Sequence, residues 1–517
     1  MVRCMRASRG SSKGKGIKHM SSRTQHAQSA SKRQKLHNNE DDCQWEGCSN
    51  GTDSRRKMVG INDLPHPVLG LILANLNPAE RLRAESVCHR WKFEIVHPST
   101  AVHSLFSMSK PLTNKHIEIL LKRCGSSLRL LNIGSLSSVN RDSITYAVCS
   151  LFVHVPMLHT LDLSGIQLTN SALSSLGFRL SNLKRVAFRN SFKNTRMERG
   201  LSSFLASCRR LTHLDLSGNE NLIGTAFFRP SSLEELNISY CYHIGIHGIR
   251  QIRATCANLR RLYMDQIGDS VSIRELDEML RELKSLVYLK FCDCYGSSEF
   301  NDLQLNHDQH LTGIGELTNL TELHVNENRL VDDEVLRAIS FGCTSLQFLD
   351  ISQSQRGITD AGLRHLSQLP NLTTLKMNGQ RMVSDESLIL IARRGILREL
   401  TISRCTQITS ESVLQTIKHC KNLGSLDVSY CVGVTQIIFA ELNKAMERRH
   451  GKNAPSRQTR QEDKFRLTIC RSGIQGNVPS HSPWIHLVDY PPNSENSLTS
   501  NAVFITAHLL NIPMIAI

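Results

Sequence analysis

The chain has 517 residues, of which 40% are hydrophobic and 21% are charged, and its formal net charge at pH 7 is +16. Because one ordinary core cannot organise so many residues, several domains or an array of repeats is expected. The sequence has no run of about 18 uncharged apolar residues and no apolar segment behind its basic N-terminus, so neither a membrane span nor a secretory signal is predicted.

The N-terminal segment, residues 1–57, is rich in Ser, Gly, Lys and Arg, which predicts a disordered basic tail. The excess positive charge lies mostly at the two ends of the chain, so it is weak support for a nucleic-acid-binding fold. The stretch Lys32-Arg33-Gln34-Lys35 has the spacing of a nuclear import signal, which predicts a cytoplasmic or nuclear location. Cys43 and Cys48 lack a second ligand pair nearby and are interpreted as free thiols rather than as half of a zinc site.

Residues 58–99 contain two amphipathic stretches that are separated by Asn77-Pro78. The first has apolar residues at helical spacing. The second is predicted to be a helix that carries Leu82, Ala84, Val87, Cys88 and Trp91. Both stretches are more apolar than a unit of about 40 residues can bury alone, so a partner protein is expected to cover the exposed side.

The hexapeptide SVCHRW, residues 86–91, places a thiol, an imidazole and an indole close together. No third residue is available to orient His89 as a base, and no second pair of metal ligands lies nearby. Cys88 and Trp91 are expected to share one helix face, since they are three residues apart. We therefore interpret this segment as an apolar packing edge and predict no catalytic residue, metal or cofactor.

From residue 128 onward, the pattern Leu-x-x-Leu-x-Leu recurs with conservative apolar changes. The twelve copies begin at Leu128, Leu158, Leu183, Leu211, Leu233, Leu259, Leu286, Leu320, Leu346, Leu372, Leu397 and Leu423. Each copy predicts a short strand with one buried side, then a turn and a helix, with N-caps at Thr359, Ser384 and Thr409. Since one such unit cannot bury its own apolar face, the units are expected to stack into an α/β solenoid with a curved parallel sheet inside and helices outside.

Eight cysteines recur at two positions of the repeat. Cys241, Cys294, Cys405 and Cys431 stand eight residues after the opening leucine, where other copies have Asn219 and Asn328. Cys208, Cys256, Cys343 and Cys420 stand three residues before it. We interpret these thiols, and Cys292 beside Cys294, as small packing residues at the corners of the stack. The pattern resembles the cysteine-containing leucine-rich repeat, with about 12 units in residues 100–443.

The segment ahead of the repeats contains, in order, Leu64-Pro65, Val68-Leu69, Ile72-Leu73, Leu76 and Val87-Cys88-x-Arg90-Trp91. In this order and spacing it resembles an F-box, an all-α domain. Two positions depart from the usual F-box pattern: Pro67 replaces an acidic residue and Arg81 an apolar one. Together with the repeats, the chain resembles the F-box/LRR family of substrate receptors of SCF ubiquitin ligases. The resemblance implies adaptor binding through Leu64, Pro65, Val68, Leu69, Ile72, Leu73, Leu76, Leu82, Val87, Cys88 and Trp91.

The same resemblance implies a non-catalytic receptor that binds a Skp adaptor and, through it, a cullin–RING core. Its concave face would hold a protein substrate for ubiquitination and degradation. The residues beside the apolar strand positions predict the substrate-binding set Arg185, Arg189, Arg261, Tyr263, Tyr288, Lys290, Phe348, Lys376 and Arg404. Arg185, Arg189 and Arg261 predict a basic stretch for an acidic or phosphorylated degron. An evenly solvated face, with the substrate bound elsewhere, is the alternative.

Two segments interrupt the repeat pattern. The longer step between Leu286 and Leu320 predicts a protruding loop near residues 295–310. Residues 444–517 are predicted to be a basic linker and a tail, whose apolar end either lies back on the solenoid or marks an unreliable C-terminal sequence. A leucine-rich-repeat scaffold outside any ligase, located in the nucleus, remains the alternative function. Nucleic-acid binding through the basic tails is the least favoured of the binding functions.

Overall fold

The computed structural model describes residues 60–74, 76, 80, 83–96, 104–105, 118, 121–122, 128–134, 152–192, 197–227, 232–267, 271–294, 310–354, 357–450, 465–469 and 485–489. The chain divides into two units, Met1–Gly60 and Ile61–Ile517. The predicted basic tail, the import signal, Cys43 and Cys48 lie outside the described residues, as does most of the loop predicted near residues 295–310.

A parallel sheet dominates the second unit, and the 15 strands found in its described residues follow one another in chain order. The strands are β1 (Ser104–Leu105), β2 (Leu130–Asn132), β3 (Thr160–Asp162), β4 (Arg185–Ala187), β5 (His213–Asp215), β6 (Glu235–Asn237), β7 (Arg261–Tyr263), β8 (Tyr288–Lys290), β9 (Glu322–His324), β10 (Phe348–Asp350), β11 (Thr374–Lys376), β12 (Glu399–Thr401), β13 (Ser425–Asp427), β14 (Phe465–Ile469) and β15 (Ile485–Asp489). Strands β2–β13 coincide with the twelve predicted copies, so the predicted α/β solenoid is confirmed.

The register of the sheet stacks the central apolar residues of the strands in one buried row. Leu161 pairs with Val186, which pairs with Leu214, and all three are buried. The residues before and after each central residue therefore point to the opposite side of the sheet, because successive side chains of a strand alternate between its two faces. This second side carries the predicted substrate residues that belong to strands.

Helices connect most strands and pack on the side of the sheet that carries the buried central residues. Their bounds are Asn170–Arg179, Glu198–Ser207, Ile246–Thr255, Ile273–Glu282, Asp333–Gly342, Asp360–Leu366, Asp385–Ala392, Ser410–His419 and Ile437–His450, with 3-10 turns at Phe152–His154 and Thr312–Glu316. The predicted N-caps are confirmed, since Thr359, Ser384 and Thr409 each accept a backbone N–H of the first helical turn. Helices on one side and short strands on the other give the solenoid its two layers.

In the repeat between β5 and β6, the described residues 216–227 and 232–234 form a loop rather than a helix, in keeping with its short step of 22 residues. The carboxylate of Glu198, at the start of helix Glu198–Ser207, holds this loop from the preceding repeat. One oxygen accepts the backbone N–H of Ile223 at 2.7 Å, and the other accepts that of Ala226 at 2.9 Å. The backbone N–H of Gly224 and the hydroxyl of Thr225 also donate to this carboxylate. These bonds satisfy backbone donors that a helix would otherwise pair.

The sheet continues past the predicted end of the repeats at residue 443. Helix Ile437–His450 crosses that position without interruption. Strand β14 pairs with β13, and β15 pairs with β14, both in parallel. Residues 444–517 therefore contain structured parts rather than only a linker and a tail, because two short strands in this range extend the existing sheet edge.

The N-terminal part of the second unit is a small helical domain. It contains a 3-10 turn at Ile61–Asp63 and helices His66–Ala74 and His89–Val96. The predicted continuous second helix is wrong, because a turn at residues 85–87 interrupts it and Cys88 lies just before the last helix. The hydroxyl of Ser86 donates to the carbonyl oxygen of Arg83 at 2.6 Å, a local bond that competes with helix continuation.

Candidate protein-binding surfaces

The helical domain has a small core of its own. Leu69, Leu73, Ala84 and Ile95 form this core, and the partly buried Leu64, Leu76 and Trp91 pack against it. Four buried apolar side chains among the described residues of this domain are few for a stable unit, so its exposed apolar residues are of interest for what they could bind.

The structure divides the predicted adaptor residues into two groups. Leu69 and Leu73 lie in the core of the domain, and Leu64, Leu76 and Trp91 pack against that core. The first group therefore stabilises the fold of the domain. Pro65, Val68, Ile72 and Val87 are exposed, and Cys88 is half-buried. Leu82 lies outside the described residues, as does Arg81.

The exposed side of helix His66–Ala74 is apolar. Val68, Leu71 and Ile72 are 42%, 68% and 41% exposed, and their spacing places them on one side of the helix. Phe93, on helix His89–Val96, is 60% exposed. The sequence analysis missed Leu71 and Phe93, although the helical spacing of Val68 and Leu71 was a usable signal.

Arg90 and Trp91 hold the N-terminal turn of the domain against its last helix. The guanidinium of Arg90 donates to the carbonyl oxygens of Asn62 and Leu64. The indole N–H of Trp91 donates to Oδ1 of Asn62 at 2.8 Å. Trp91 therefore joins the N-terminal turn to the last helix of the domain, and its contribution to an adaptor interface stays a prediction.

The cysteines of the repeats join neighbouring units. The thiol of Cys431 donates to the carbonyl oxygen of Ile402 at 2.9 Å, and that of Cys405 donates to the carbonyl oxygen of Met377 at 3.2 Å. Burial raises the pKa of Cys405 to about 11 and that of Cys431 to about 12. Such thiols stay protonated near neutral pH and are poor nucleophiles.

Cys292 and Cys294 are also buried thiols with raised pKa values, and burial is the main cause of the rise. The thiol of Cys292 donates to Oδ1 of Asn326 at 2.9 Å, and that of Cys294 to the carbonyl oxygen of Met264 at 3.6 Å. Across the described ranges, no cluster of three or more His, Cys, Asp or Glu residues has the geometry of a metal site. None of the described helices is long and apolar enough to span a bilayer.

Arg189 is engaged within the protein. Its guanidinium donates to Oδ2 of Asp162 at 2.8 Å and to the hydroxyl of Ser164 at 3.0 Å, and lies 3.8 Å from Oδ2 of Asp215. Burial raises the pKa of Asp215, and Arg189 opposes this change. Arg189 thus neutralises two carboxylates of neighbouring repeats and lies at the strand end rather than on strand β4.

Arg185 and Arg261 are separated by other charged groups on the same face. They occupy equivalent positions of β4 and β7, and the strand register places His213 and Glu235 between them. Nε2 of His213 lies 3.5 Å from Oε2 of Glu235. Burial and then the two arginines lower the pKa of His213 to about 4, while burial raises the pKa of Glu235. Arg189 is ion-paired with Asp162, and His213 and Glu235 lie between Arg185 and Arg261. The three arginines therefore form no continuous basic stretch, so a degron that needs such a stretch is not favoured.

Four rings stack across strands β7–β10, and we call Tyr263, Tyr288, His324 and Phe348 the ring ladder. The centroids of Tyr263 and Tyr288 are 4.8 Å apart. Those of Tyr288 and His324 are 5.3 Å apart, and those of His324 and Phe348 are 4.4 Å apart. The rings alternate between the first and the third residue of successive strands. The predicted residues Tyr263, Tyr288 and Phe348 therefore lie together, and His324 is a fourth member that the sequence analysis missed.

A cation lies at each end of the ring ladder. The guanidinium carbon of Arg261 lies 5.6 Å from the ring centroid of Tyr288, and Nζ of Lys376 lies 5.2 Å from that of Phe348. Lys290, between them, forms an ion pair with Asp265 at 2.8 Å. Burial, followed by Lys290 and Lys376, lowers the pKa of His324 to about 3, so its ring is neutral at physiological pH.

Arg404 lies apart from this cluster. It follows strand β12 in a turn with φ of +62° and is exposed. Its guanidinium carbon lies 5.2 Å from the ring centroid of Tyr430, which has an equivalent left-handed position in the next repeat. Arg404 therefore belongs to the edge of the sheet rather than to the strand face on which it was predicted.

Residues 61–102 match the family described as F-box-like. The Caenorhabditis elegans protein named "Putative RNA-binding protein EEED8.10" is 24% identical over 385 residues, which make up 71% of this chain and 50% of that protein. The chain therefore spans about half the length of this curated relative.

Two solved structures are similar in overall arrangement. An internalin (InlF) from Listeria monocytogenes has a TM-score of 0.45 and 17% identity, with 72% of this chain and 95% of that chain covered. A chain of the yeast Rad7–Elc1 complex has a TM-score of 0.45 and 15% identity, with 73% and 93% covered. The solenoid itself is established by the strand pairing of this chain.

Proposed function

We propose that this protein, in which an F-box-like domain precedes a leucine-rich-repeat solenoid, is the substrate-recognition subunit of an SCF-type ubiquitin ligase. The F-box-like domain binds a Skp adaptor, which connects to a cullin–RING core. The solenoid binds a protein substrate, which is then ubiquitinated and degraded. Such a subunit acts in the cytoplasm or the nucleus.

One observation carries this proposal: the F-box-like domain exposes apolar side chains that its own small core does not use. Val68, Leu71 and Ile72 form an apolar stripe on helix His66–Ala74. Burying such side chains stabilises a complex by about 25 cal/mol for each Å² of apolar surface removed from water. A helical partner with a matching apolar side fits this stripe.

In this role the protein contributes no catalytic group. Its effect is proximity, since a substrate held by the solenoid meets the activated ubiquitin at a raised effective concentration. Cys405 and Cys431 are buried thiols with raised pKa values, so these two are unsuited to accept ubiquitin from a thioester.

The adaptor interface is tested with the full-length chain and a purified Skp adaptor. Val68→Lys combined with Ile72→Lys places two charges on the apolar stripe while keeping good helix formers. We expect the wild type to co-elute with the adaptor and the double variant to bind at least about tenfold more weakly. Substituting Leu64 or Trp91 is a poorer test, because both pack against the domain core.

Phe178→Lys is the matched control, since Phe178 is 85% exposed and lies on a solenoid helix. This variant should bind the adaptor as the wild type does. If the wild type folds but binds no adaptor, the receptor proposal fails, and a leucine-rich-repeat scaffold becomes the better description. If the double variant binds as tightly as the wild type, the adaptor does not use this helix.

A further inference from the structure

On the inner side of the sheet, the partly exposed ladder rings Tyr288, His324 and Phe348 form one surface with the two end cations, Arg261 and Lys376, while Tyr263 is buried. We propose that this surface binds an extended peptide segment of a partner protein, with an acidic residue at each end, a hydrogen-bond donor such as lysine at its centre, and aromatic or long apolar residues between them. If the receptor function proposed above is correct, this segment belongs to the substrate.

The two end cations define where the acidic residues bind. Neither Arg261 nor Lys376 forms an ion pair within 4 Å with another described residue, and each lies over a ring of the ladder. Arg261 also donates a hydrogen bond to Tyr263 and is attracted at longer range by Glu235 and Glu322. Lys290, by contrast, is already paired with Asp265. A cation that rests on a ring and faces the open side of the sheet can still accept a carboxylate of a partner.

The rings define the apolar part of the segment. Neighbouring ladder members are tilted by 33° to 39° with centroids 4.4 to 5.3 Å apart, so their faces are largely covered by one another. Because strand side chains stand roughly perpendicular to the sheet, the ring edges point toward a ligand. Aromatic edges carry partial positive charge and prefer the face of another ring. Aromatic side chains of the partner can therefore pack edge-to-face on the ladder.

Glu322 defines the centre of the segment. It occupies the first position of β9, between Tyr288 and Phe348 in the register. The other acids between the two end cations, Asp265 and Asp350, are engaged: Asp265 binds Lys290, and Asp350 accepts the backbone N–H of Ser352 at 3.0 Å. Glu235, on β6, lies outside the span between these cations. The surface thus presents a cation, a carboxylate and a cation in sequence, which a ligand with the opposite order complements.

Strand spacing gives the length of the segment. Arg261 and Lys376 lie on β7 and β11, four strands apart, which corresponds to about 19 Å at about 4.8 Å per step. An extended peptide covers about 3.3 Å per residue, so about six residue steps separate the two acids. Glu322, on β9, lies midway, which places the donor about three steps from each acid.

A single-stranded nucleic acid fits this surface less well. Base recognition by stacking needs open ring faces, and here the faces are covered by neighbouring rings and by the two cations. The carboxylates of Glu322 and Asp350 would also repel phosphates. These features favour a peptide ligand, and the experiment below also measures whether RNA binds.

The probe is the fluorescein-labelled peptide Asp-Leu-Phe-Lys-Phe-Leu-Asp. The comparison peptide, labelled in the same way, has the charges reversed: Lys-Leu-Phe-Asp-Phe-Leu-Lys. Binding to the full-length chain is measured by fluorescence anisotropy, without any adaptor. The wild type should bind the first peptide at least about fivefold more tightly than the second. Equal binding of both peptides, or no binding of either, overturns the proposal.

Arg261→Glu combined with Lys376→Glu should reverse this preference. Arg404→Glu is the matched control, because Arg404 also lies over a ring but outside the ladder, and it should leave the preference unchanged. A loss of selectivity in the control as well would show that net charge, not this surface, selects the peptide and would overturn the proposal. If a labelled uridine oligonucleotide binds more tightly than the peptide and loses affinity in the double variant, the surface is assigned to RNA instead.

Adaptor binding separates this proposal from the receptor function. The double ladder variant should still co-elute with the Skp adaptor, while Val68→Lys with Ile72→Lys should still prefer the first peptide. A chain that selects the peptide but binds no adaptor keeps the peptide site and loses only the receptor function. A chain that binds the adaptor but shows no peptide preference keeps the receptor function and loses this site.

Discussion

Asn219 joins two neighbouring repeats through a fully buried amide group. Its Oδ1 accepts the backbone N–H groups of Ser191 and Phe192, both at 2.8 Å. Its Nδ2 donates to two carbonyl oxygens, one of which belongs to Leu216, at 2.6 Å. One repeat later, Cys241 occupies the equivalent position and reaches the carbonyl oxygen of Leu216 only through its thiol, at 3.3 Å. The two residues fill the same corner with very different numbers of hydrogen bonds.

We therefore expect Asn219→Ala to lower the free energy of unfolding by about 3 kcal/mol, since each buried group left unpaired costs about 1–3 kcal/mol. Cys241→Ala, the matched control, should cost about 1 kcal/mol. Urea unfolding of the full-length variants, followed by circular dichroism, measures both values. Equal losses for the two variants would contradict this account of the corner position.

His324 makes stability depend on pH. Burial, Lys290 and Lys376 lower its pKa in the folded state to about 3, against about 6.5 in the unfolded chain. Between these values the unfolded state binds a proton that the folded state does not. The free energy of unfolding therefore falls as the pH falls from 6.5 toward 3, by up to about 1.4 kcal/mol per pH unit from this group.

The contribution of His324 is isolated by comparison with His324→Tyr, which keeps a ring in the ladder but removes the titrating group. The comparison is needed because burial raises the pKa of Asp350, an effect that acts in the opposite direction with pH. Relative to the variant, the wild type should lose stability between pH 6.5 and 4.5. A difference that stays constant over this range in urea unfolding would show that His324 does not remain neutral in the fold.

Arg189 illustrates what could be predicted about a single residue and what could not. Its place near the inner side of the sheet follows from the repeat template. Its partner Asp162 lies 27 residues earlier in the chain, and the choice of that partner depends on how two repeats stack. The same holds for His324, which joins the ring ladder only through rings on the neighbouring strands.

At the scale of elements, successive helices of the later repeats are joined at their first turns. The carboxylate of Asp360 accepts the backbone N–H of Ser384 at 3.0 Å and its hydroxyl at 2.6 Å, so one helix start holds the N-cap of the next. The hydroxyl of Ser387 donates to the same carboxylate at 2.5 Å. Asp333 and Asp385 hold the N-caps of the helices that follow them in the same way.

Asp360→Ala should lower the free energy of unfolding by about 2 kcal/mol, because hydrogen bonds to a charged group are stronger than neutral ones and the N-cap loses its support. Glu386→Ala is the control, since Glu386 is also acidic and near a helix start but forms only an exposed ion pair with Arg364, at 2.8 Å. It should cost less than about 1 kcal/mol. A thermal or urea midpoint that shifts equally in both variants would argue against this link between helices.

The predictability of the elements depends on how completely each one repeats. Strands β2–β13 follow from the leucine template, which combines a periodic pattern with the need to bury one side of each strand. Strands β1, β14 and β15 lack the full template, so the sequence did not reveal them. The segment Phe465–Ile469 alternates apolar and polar residues, but it stands in a polar, basic stretch, and its place in the sheet depends on the edge that β13 offers.

At the scale of the whole molecule, two separate apolar cores hold the described part of the second unit together. One contains Leu69 and Leu73 of the F-box-like domain, and the other runs through the solenoid. In a repeat protein, stability is approximately a sum over units and their neighbours, so damage to one core need not reach the other.

Leu69→Ala should therefore open the F-box-like domain and leave the solenoid intact. Removing a buried leucine costs about 2–5 kcal/mol, which is large for so small a core. Hydrogen exchange followed by mass spectrometry should show faster exchange in residues 61–96 and unchanged exchange in residues 310–354. Val68→Ala, on the exposed side of the same helix, serves as the control and should leave both regions protected. Faster exchange throughout the solenoid in the Leu69 variant would indicate that the two cores unfold together.

The loop between β5 and β6, as far as its residues are described, has a mechanical consequence. In a stack held by nearest-neighbour contacts, a chain pulled from its two ends parts first where the contacts across one boundary are weakest. The carboxylate of Glu198 holds this loop to the preceding repeat, and the buried amide of Asn219 joins the same two repeats. Under tension, a Glu198→Ala chain should therefore yield at this boundary at a lower force than the wild type, because the loop then loses its hydrogen bonds to the preceding repeat.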